Sequence, residues 1–215
     1  CAQSPPPATP PQQYIVDLFD HYADHYESHL TEHLNYRGHI EVCDVLCQWM
    51  ADHSRQRLTT IVDLGCGSGL CGPLLKPMTD TLIGVDLSPK MLAYAQQKGV
   101  YDALHTKDCC AALDAYQDSI DAIVMADVLP YLGDCQMLIE RIAKALTPDG
   151  VWVVSFETAD QFGLTANGRY VHALTSLQTI ATRHGLKMID QQSTTLRNEH
   201  DQPVASTIVI WTLTA

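Results

Sequence analysis

The chain of 215 residues contains 25 acidic and 13 basic residues, which gives a formal net charge of −12. An acidic surface of this kind repels phosphate backbones, so the composition disfavours DNA or RNA as the main substrate. No apolar run reaches transmembrane length, and the eight cysteines lie scattered among predicted core elements, which favours reduced thiols and a cytoplasmic location without a membrane partner over a disulfide scaffold.

The N-terminal part of the chain predicts a tail followed by two helices. Residues 1–13 are rich in proline and predict a disordered tail or linker. Residues 14–34 carry apolar side chains at every third or fourth position, which predicts one amphipathic helix, and a second helix is expected over 39–53. A row of histidines at four-residue spacing runs beside the apolar stripe: His21, His25, His29 and His33. Helical zinc ligands have this spacing, but no carboxylate or cysteine completes a closed site, so we expect no metal.

The segment 60–72, TIVDLGCGSGLCG, predicts the central site. A short apolar run that ends at Leu64 is typical of a buried strand, and three glycines follow at alternate positions: Gly65, Gly67 and Gly69. Residues without a Cβ let the chain turn sharply and let a ligand lie against the peptide plane. Because a helix can begin after Leu70, the segment predicts a nucleotide site at the carboxyl end of a parallel strand.

The spacing of the glycines bears on which nucleotide is bound. Residues 67–72 also read GxGxxG, the dinucleotide pattern, which leaves an NAD(P)-dependent oxidoreductase as a weaker alternative. That pattern, however, starts two residues too late after the strand. Asp63 lies two residues before Gly65, where a carboxylate is placed to hold an ammonium group. Here the sequence resembles the class I S-adenosylmethionine-dependent methyltransferases, whose first motif, acid-x-Gly-x-Gly-x-Gly, is matched at every position.

The rest of the chain alternates between strands and helices. A second strand over 81–85 ends at Asp86, where an acid is placed to accept both hydroxyls of a ribose. Ser88 and Pro89 predict the start of a helix over 90–98. Further strands are expected over 103–107, 119–126, 151–156, 187–196 and 204–213, further helices over 134–146 and 174–184, and a loop over 158–171.

The N-terminal block extends the resemblance. Residues 18–37 look like the opening of a methyltransferase family that is often fused to tetratricopeptide repeats, although no such repeat occurs here. The resemblance implies an α/β, Rossmann-like sheet of seven mostly parallel strands, in the order 3-2-1-4-5-7-6 with the last strand antiparallel. It also implies a single domain over 14–215, in which the helices of 14–55 form a lid on a core of 58–215.

The resemblance further implies which residues bind the cofactor, S-adenosylmethionine. The expected contacts are Tyr22, Arg37, Asp63, Gly65, Cys66, Gly67, Gly69, Asp86, Leu87, Met91, Asp108, Cys109 and Asp127. Among them, Arg37 is expected to make a two-pronged contact with the methionyl carboxylate, and Asp108 to hold the adenine amino group. The acceptor is expected to meet Tyr26, Tyr131, Arg169, Tyr170 and His172. Where the acceptor must lose a proton, the candidate bases are His29, Asp127, Tyr131, Tyr170 and His172.

These expectations favour a methyltransferase that acts by in-line transfer on a small-molecule or small-peptide acceptor. Residues 127–131 read DVLPY and not the Asp-Pro-Pro-Tyr motif of amino-group DNA methyltransferases, which again disfavours nucleic acid. A module that binds S-adenosylmethionine as a sensor, without catalysis, is the alternative. The identity of the acceptor does not follow from the sequence.

Overall fold

The computed structural model describes residues 9–30, 34–199 and 202–214, and these ranges contain nine strands. Five strands of the first part of the chain are β1 Leu58–Leu64, β2 Thr79–Asp86, β3 Ala103–Thr106, β4 Ile120–Met125 and β5 Leu146–Glu157. Four follow: β6 Gly163–Leu164, β7 Tyr170–Val171, β8 Leu186–Glu199 and β9 Gln202–Leu213.

Seven of these strands form one twisted sheet in the order β3-β2-β1-β4-β5-β9-β8. Strands β1 to β5 pair in parallel, whereas β9 runs antiparallel to both β5 and β8. The two-residue strands β6 and β7 pair with each other in a separate sheet. When these two are left out of the numbering, the order is the expected 3-2-1-4-5-7-6 with an antiparallel last strand, so the predicted fold class is confirmed.

Helices connect the strands and cover both faces of the sheet. Their bounds are α1 Gln12–Tyr22, α2 Tyr26–Ser28, α3 Gly38–Asp52, α4 Gly72–Leu75, α5 Pro89–Gln97, α6 Cys109–Leu113, α7 Gln136–Ala145 and α8 Leu174–Arg183. The predicted start of α5 is confirmed, because the Ser88 hydroxyl accepts a hydrogen bond of 3.0 Å from the amide of Met91. None of the helices in the described ranges has the length and apolarity that crossing a bilayer requires.

Two apolar clusters lie on opposite faces of the sheet because neighbouring residues of a strand point to opposite sides. On one face, Ile61 packs with α3 in a cluster that contains the fully buried Leu46. On the other face, Val62 packs in a cluster that includes Trp152 and residues of α6, α7 and α8. The sheet is therefore buried on both sides, and its carboxyl edge is left as the place where polar residues of β1, β2 and β4 meet.

The single helix expected over 14–34 is wrong as a continuous element. Helix α1 begins earlier, at Gln12, and ends at Tyr22; a 3₁₀ turn over Ala23–His25 and the short α2 follow. A 3₁₀ turn has three residues per turn instead of 3.6, so it shifts the phase of the apolar stripe and buries Ala23. The four-residue histidine row is therefore not one helix face. His21 and His25 are exposed, and His33 and the tail residues 1–8 lie outside the described residues.

The loop expected over 158–171 contains the small sheet of β6 and β7. A tight turn closes it: the amide of Thr165 donates to the Arg169 carbonyl at 2.8 Å, and Gly168 has a φ of +74°. Each strand has only two residues, which is too short to produce an alternating pattern in the sequence.

Candidate cofactor and acceptor site

The glycine turn after β1 has a conformation that favours glycine. Gly65, Gly67 and Gly69 have φ values of +80°, +54° and +84°. A Cβ on Gly65 would lie 2.5 Å from Val128, and one on Gly67 would lie 3.2 Å from the Cε of Met91 and 4.0 Å from the ring of Tyr26. The turn thus exposes bare backbone at Gly67, between Met91 and Tyr26, as a ligand cradle requires.

Asp86, at the end of β2, is fixed against this turn. Its Oδ2 accepts a hydrogen bond from the amide of Gly67 at 2.8 Å, and its Oδ1 accepts one from the amide of Ser88 at 2.8 Å. Burial raises the pKa of Asp86, and the backbone hydrogen bonds oppose that rise. Each carboxylate oxygen has a second lone pair. The side chain can therefore accept hydroxyl donors from a ligand without giving up its own partners.

Asp63, inside the end of β1, is a buried carboxyl at the base of the site. It is 1% exposed, and Oδ2 accepts a hydrogen bond of 2.6 Å from the hydroxyl of Tyr101. Burial raises its pKa to about 7, while the hydrogen bond from Tyr101 acts in the opposite direction. A cation placed beside such a group stabilises its ionised form, so the position suits a ligand ammonium.

Two adjoining cavities lie over the turn. The main cavity, of about 770 Å³ with its open mouth, is lined from the sheet edge by Gly65, Gly67, Asp86, Leu87, Asp108, Ala126, Asp127, Val128, Tyr131 and Leu132. From the N-terminal part it is lined by Thr9, Pro10, Gln12, Ile15, Phe19 and Tyr26. The inner cavity, of about 330 Å³ with its open mouth, is lined by Tyr26, Tyr36, His39, Asp63, Gly65, Cys66, Gly67, Ser68, Leu70, Cys71 and Ala126.

This arrangement fits S-adenosylmethionine, which has a nucleoside at one end and an amino acid at the other. The main cavity offers Asp86 to a ribose, and the inner cavity offers Asp63 to an ammonium group. The cavities share Gly65 and Gly67, so a ligand that crosses the bare backbone would join them. Asp108 lines the main cavity while its Oδ1 caps α6 by accepting from the amide of Cys110 at 2.9 Å, which leaves its other oxygen for the adenine amino group.

A buried network of four charged side chains stands behind the acceptor end of the main cavity. Asp127 has a φ of +58°, and its amide donates to the Ser155 hydroxyl at 2.8 Å. Its Oδ2 lies 3.0 Å from Arg169 and 3.3 Å from Arg197. Both arginines also pair with Glu157, so two positive charges meet two negative ones.

The network reaches the acceptor end through Tyr131. The guanidinium carbon of Arg169 lies 4.6 Å from the centre of the Tyr131 ring, and the same guanidinium donates a hydrogen bond to its hydroxyl. On the other side, the ring of Phe19 contacts that of Tyr131 at 4.8 Å and that of Tyr26 at 6.0 Å. Three aromatic rings, two from residues 19–26 and one from the turn after β4, thus lie beside one another at the cavity.

Charged and polar contacts hold the N-terminal segment, which we define as residues 12–30, against α5. Asp20 accepts a hydrogen bond from the hydroxyl of Ser88, and its carbonyl lies 3.2 Å from the amine of Lys90. Further along, Asp24 accepts from the Tyr94 hydroxyl at 3.0 Å. Glu27 pairs with Lys98 at 2.8 Å. Three acidic residues, spaced three or four positions apart, therefore contact polar or basic residues of α5 and of the positions that flank it, Ser88 and Lys98.

The structure brings most of the expected cofactor residues to the two cavities, but not all of them. Tyr22 is 47% exposed, and the Arg37 side chain is 60% exposed and lies 3.8 Å from Glu41; neither lines a cavity. Gly69 lines neither of the two cavities, and a Cβ there would lie 3.0 Å from Tyr101 and 3.1 Å from Ala95. Cys109 packs against the apolar core of the other sheet face.

The expected acceptor and base residues divide in the same way. Tyr26 and Tyr131 line the main cavity, and Arg169 supports Tyr131. His29 is exposed. Tyr170 is buried and stacks on Phe162 at 5.6 Å.

His172 is buried, and its Nε2 lies 3.1 Å from the carbonyls of both Leu129 and Leu132. Carbonyls only accept, so that nitrogen carries a proton, and burial lowers the pKa of the imidazole. His172 therefore anchors the turn that carries Tyr131 and does not face the cavities as a base.

Comparison with known proteins agrees with this site. Residues 61–150 match the family model described as a methyltransferase domain. A ubiquinone biosynthesis O-methyltransferase of Idiomarina loihiensis is 27% identical over 94 residues, which cover 42% of this chain and 39% of the relative. The chain spans less than half the length of the curated relatives that it matches.

Solved structures share the fold at low sequence identity. A magnesium protoporphyrin IX methyltransferase from Synechocystis PCC 6803 with bound SAH has a TM-score of 0.70 and 17% identity, over 94% of this chain and 99% of that one. The cyclase SpnF has a TM-score of 0.76 and 14% identity, over 99% and 100%. Residues 61–150 are therefore similar to a methyltransferase domain, and one of the solved structures that share the fold holds SAH.

Proposed function

We propose that the chain transfers the methyl group of S-adenosylmethionine to a small acceptor that is not a nucleic acid. The observation that carries the proposal is the pair of carboxylates, Asp86 and Asp63, in two cavities that meet on the bare backbone of Gly67. The named relatives support the acceptor class, since their names refer to ubiquinone biosynthesis and to magnesium protoporphyrin IX. The finer likeness of residues 18–37 to the repeat-associated family stays a prediction.

The residues have distinct tasks in this proposal. S-adenosylmethionine supplies a methyl group that its sulfonium already activates, so the chain has to orient the acceptor and exclude water. Asp86 accepts the ribose hydroxyls, Asp63 holds the ammonium group, and Asp108 accepts from the adenine amino group. Alignment of this kind accounts for about 7–11 kcal/mol of the barrier in well-oriented reactions.

The aromatic wall would hold the acceptor. Phe19, Tyr26 and Tyr131 present ring faces and edges to the main cavity, together with the apolar side chains of Ile15 and Leu132. Burial raises the pKa of Tyr131, although the nearby Arg169 opposes that rise. The phenol therefore stays neutral near pH 7, and we assign it the role of orienting the acceptor by a hydrogen bond.

The N-terminal segment would act as the lid of the site. It contributes Ile15, Phe19 and Tyr26 to the main cavity, and its acids hold it on α5. A ligand that fills the main cavity would have to pass this segment, so we propose that it opens for the cofactor and closes over it.

Turnover tests the proposal. The chain is incubated with S-adenosylmethionine and pools of phenols, quinols, carboxylic acids and short peptides, and mass spectrometry follows S-adenosylhomocysteine together with any acceptor that gains one CH₂ unit. We expect both products with wild type and, at a limiting concentration of S-adenosylmethionine, far less of both with Asp86→Ala. Binding of the cofactor without methylation of any acceptor, including those of a cell extract, would favour the sensor alternative.

A further inference from the structure

The inner cavity contains two buried polar atoms that lack hydrogen-bond partners among the described residues. They are the hydroxyl oxygen of Ser68, a residue that is 2% exposed, and Nδ1 of His39. Both residues line the cavity beside Asp63. Because buried polar atoms in folded proteins almost always have partners, these two indicate a polar ligand group at this place.

The two atoms come from different parts of the chain and are held by the fold. Ser68 lies between the glycines of the turn, and His39 lies in the first turn of α3. The imidazole of His39 stacks on the ring of Tyr36, with 5.6 Å between the ring centres and 25° between the planes. A hydroxyl and an imidazole N–H that line the same cavity can both donate hydrogen bonds to an anion.

Arg37, which the resemblance implies as the partner of the methionyl carboxylate, does not lie here. Its amide donates to the Leu196 carbonyl at 2.9 Å, and its exposed side chain lies near Glu41. Among the described residues that line the inner cavity there is no arginine or lysine.

We propose that Ser68 and His39 bind the carboxylate of the methionyl group of S-adenosylmethionine, beside the ammonium group on Asp63. This assignment rests on the proposed function, because it needs the cofactor to span both cavities. In this assignment, the hydroxyl of Ser68 and the imidazole of His39 take the place of the Arg37 guanidinium. Of the two, the imidazole can change its charge.

Protonation of His39 would follow from this contact. Burial lowers the pKa of His39 in the free protein; Lys98 and Arg37 act in the same direction, and Glu27 acts against them. A carboxylate beside the imidazole raises its pKa, so binding draws a proton onto His39. Asp63 works in the opposite direction, because its pKa of about 7 falls beside an ammonium and it releases a proton.

Calorimetry with two ligands separates these contributions. S-adenosylhomocysteine carries the amino acid, whereas 5′-methylthioadenosine has the same nucleoside and a thioether but no amino acid. We expect His39→Gln and Ser68→Ala each to weaken S-adenosylhomocysteine roughly tenfold, the loss of one hydrogen bond to a charged group. Binding of methylthioadenosine should be unchanged in both variants, which also shows that they are folded.

The number of protons exchanged on binding is a second measurement, and a purely structural role of His39 would not change it. Titrations near pH 7, the pKa of Asp63, in buffers of different ionisation enthalpy count the protons exchanged on binding. With S-adenosylhomocysteine, His39→Gln should release more protons than wild type, while Ser68→Ala should match wild type. With methylthioadenosine, wild type and His39→Gln should not differ.

The variant Arg37→Gln tests the competing assignment, in which Arg37 binds the methionyl carboxylate. If Arg37→Gln weakens S-adenosylhomocysteine but not methylthioadenosine, while His39→Gln and Ser68→Ala bind both normally, the proposal is overturned. If one variant fails to fold, the other decides. If wild type binds neither ligand, the cofactor site itself is wrong and this assignment falls with it; normal binding of methylthioadenosine separates that outcome from failure of the carboxylate contact alone.

Discussion

The amide of Gly67 donates a hydrogen bond of 2.8 Å to Oδ2 of Asp86, and this contact joins the end of β2 to the glycine turn after β1. It positions the acid beside the bare backbone of Gly67, which lines both cavities. The acid and the turn therefore act as one unit, and changes in either should affect binding in the same direction.

Asp86→Ala should weaken S-adenosylhomocysteine by about ten- to a hundredfold, because each hydrogen bond to a charged group is worth roughly 1.5–3 kcal/mol. Asp80→Ala is the matched control: Asp80 lies near the amino end of the same strand, is 64% exposed and pairs with Arg57. Isothermal calorimetry measures both. Equal affinity in wild type and Asp86→Ala would remove the ribose contact from the site.

Gly67→Ala should abolish binding while the protein stays folded. Its φ of +54° disfavours a side chain, and a Cβ would project between Met91 and Tyr26. Gly99→Ala provides the control, because Gly99 has a φ of +64° but a Cβ there would meet nothing within 4 Å. Both variants should lose a similar amount of stability, about 1–2 kcal/mol, and only Gly67→Ala should lose the ligand. Loss of binding in both would point to backbone strain and not to ligand space.

The stability of the ligand-free protein should fall with rising pH because of Asp63. Its folded-state pKa of about 7 lies above the unfolded value of about 3.9, so the folded state holds the proton longer. Between these values, unfolding becomes easier as the pH rises, and above about 7 the effect levels off. Urea unfolding of wild type and Asp63→Asn across this range should give a difference in unfolding free energy that grows toward pH 7. A constant difference would show that Asp63 is already ionised when folded.

Hydrogen exchange should detect movement of the N-terminal segment. Amides of residues 12–30 should exchange more slowly with S-adenosylhomocysteine present. Asp20→Ala should speed their exchange without it, because the contact with Ser88, the N-cap of α5, is lost. Asp17→Ala is the control, because it also removes one negative charge from α1. Asp17 accepts a hydrogen bond from Gln13 at 2.8 Å within α1, so its loss should leave the contacts with α5 intact. Equal protection with and without ligand would mean a fixed helix and not a lid.

The sequence was sufficient for the parts of the site that are local in the chain. Three features each have a short pattern of their own in the sequence: the strand β1, the alternating glycines after it, and Asp86 two residues before the N-cap Ser88. The structure places all three as expected. The alternation of strands and helices indicated the α/β class, whereas the order of the strands came from the resemblance to the methyltransferases. Residues whose position depends on packing between distant segments were not predictable. Arg197 lies one residue beyond the expected end of its strand, and Glu157 falls between an expected strand and an expected loop.

The N-terminal region shows the same limit. Its apolar spacing indicated a helix, but the break at Ala23–His25 depends on how the segment packs on the site, which no local pattern records. Arg37 was chosen for its chemistry and its place in the resemblance. His39, two residues later in the first turn of α3, lines the inner cavity instead.

The central claim is that the two cavities form one site for S-adenosylmethionine. A calorimetric titration of the wild-type chain with S-adenosylhomocysteine, run beside a titration with NADH, tests it most directly. We predict that one molecule of S-adenosylhomocysteine binds per chain and that NADH does not bind. Binding of NADH without binding of S-adenosylhomocysteine would contradict the claim and restore the dinucleotide interpretation of residues 67–72.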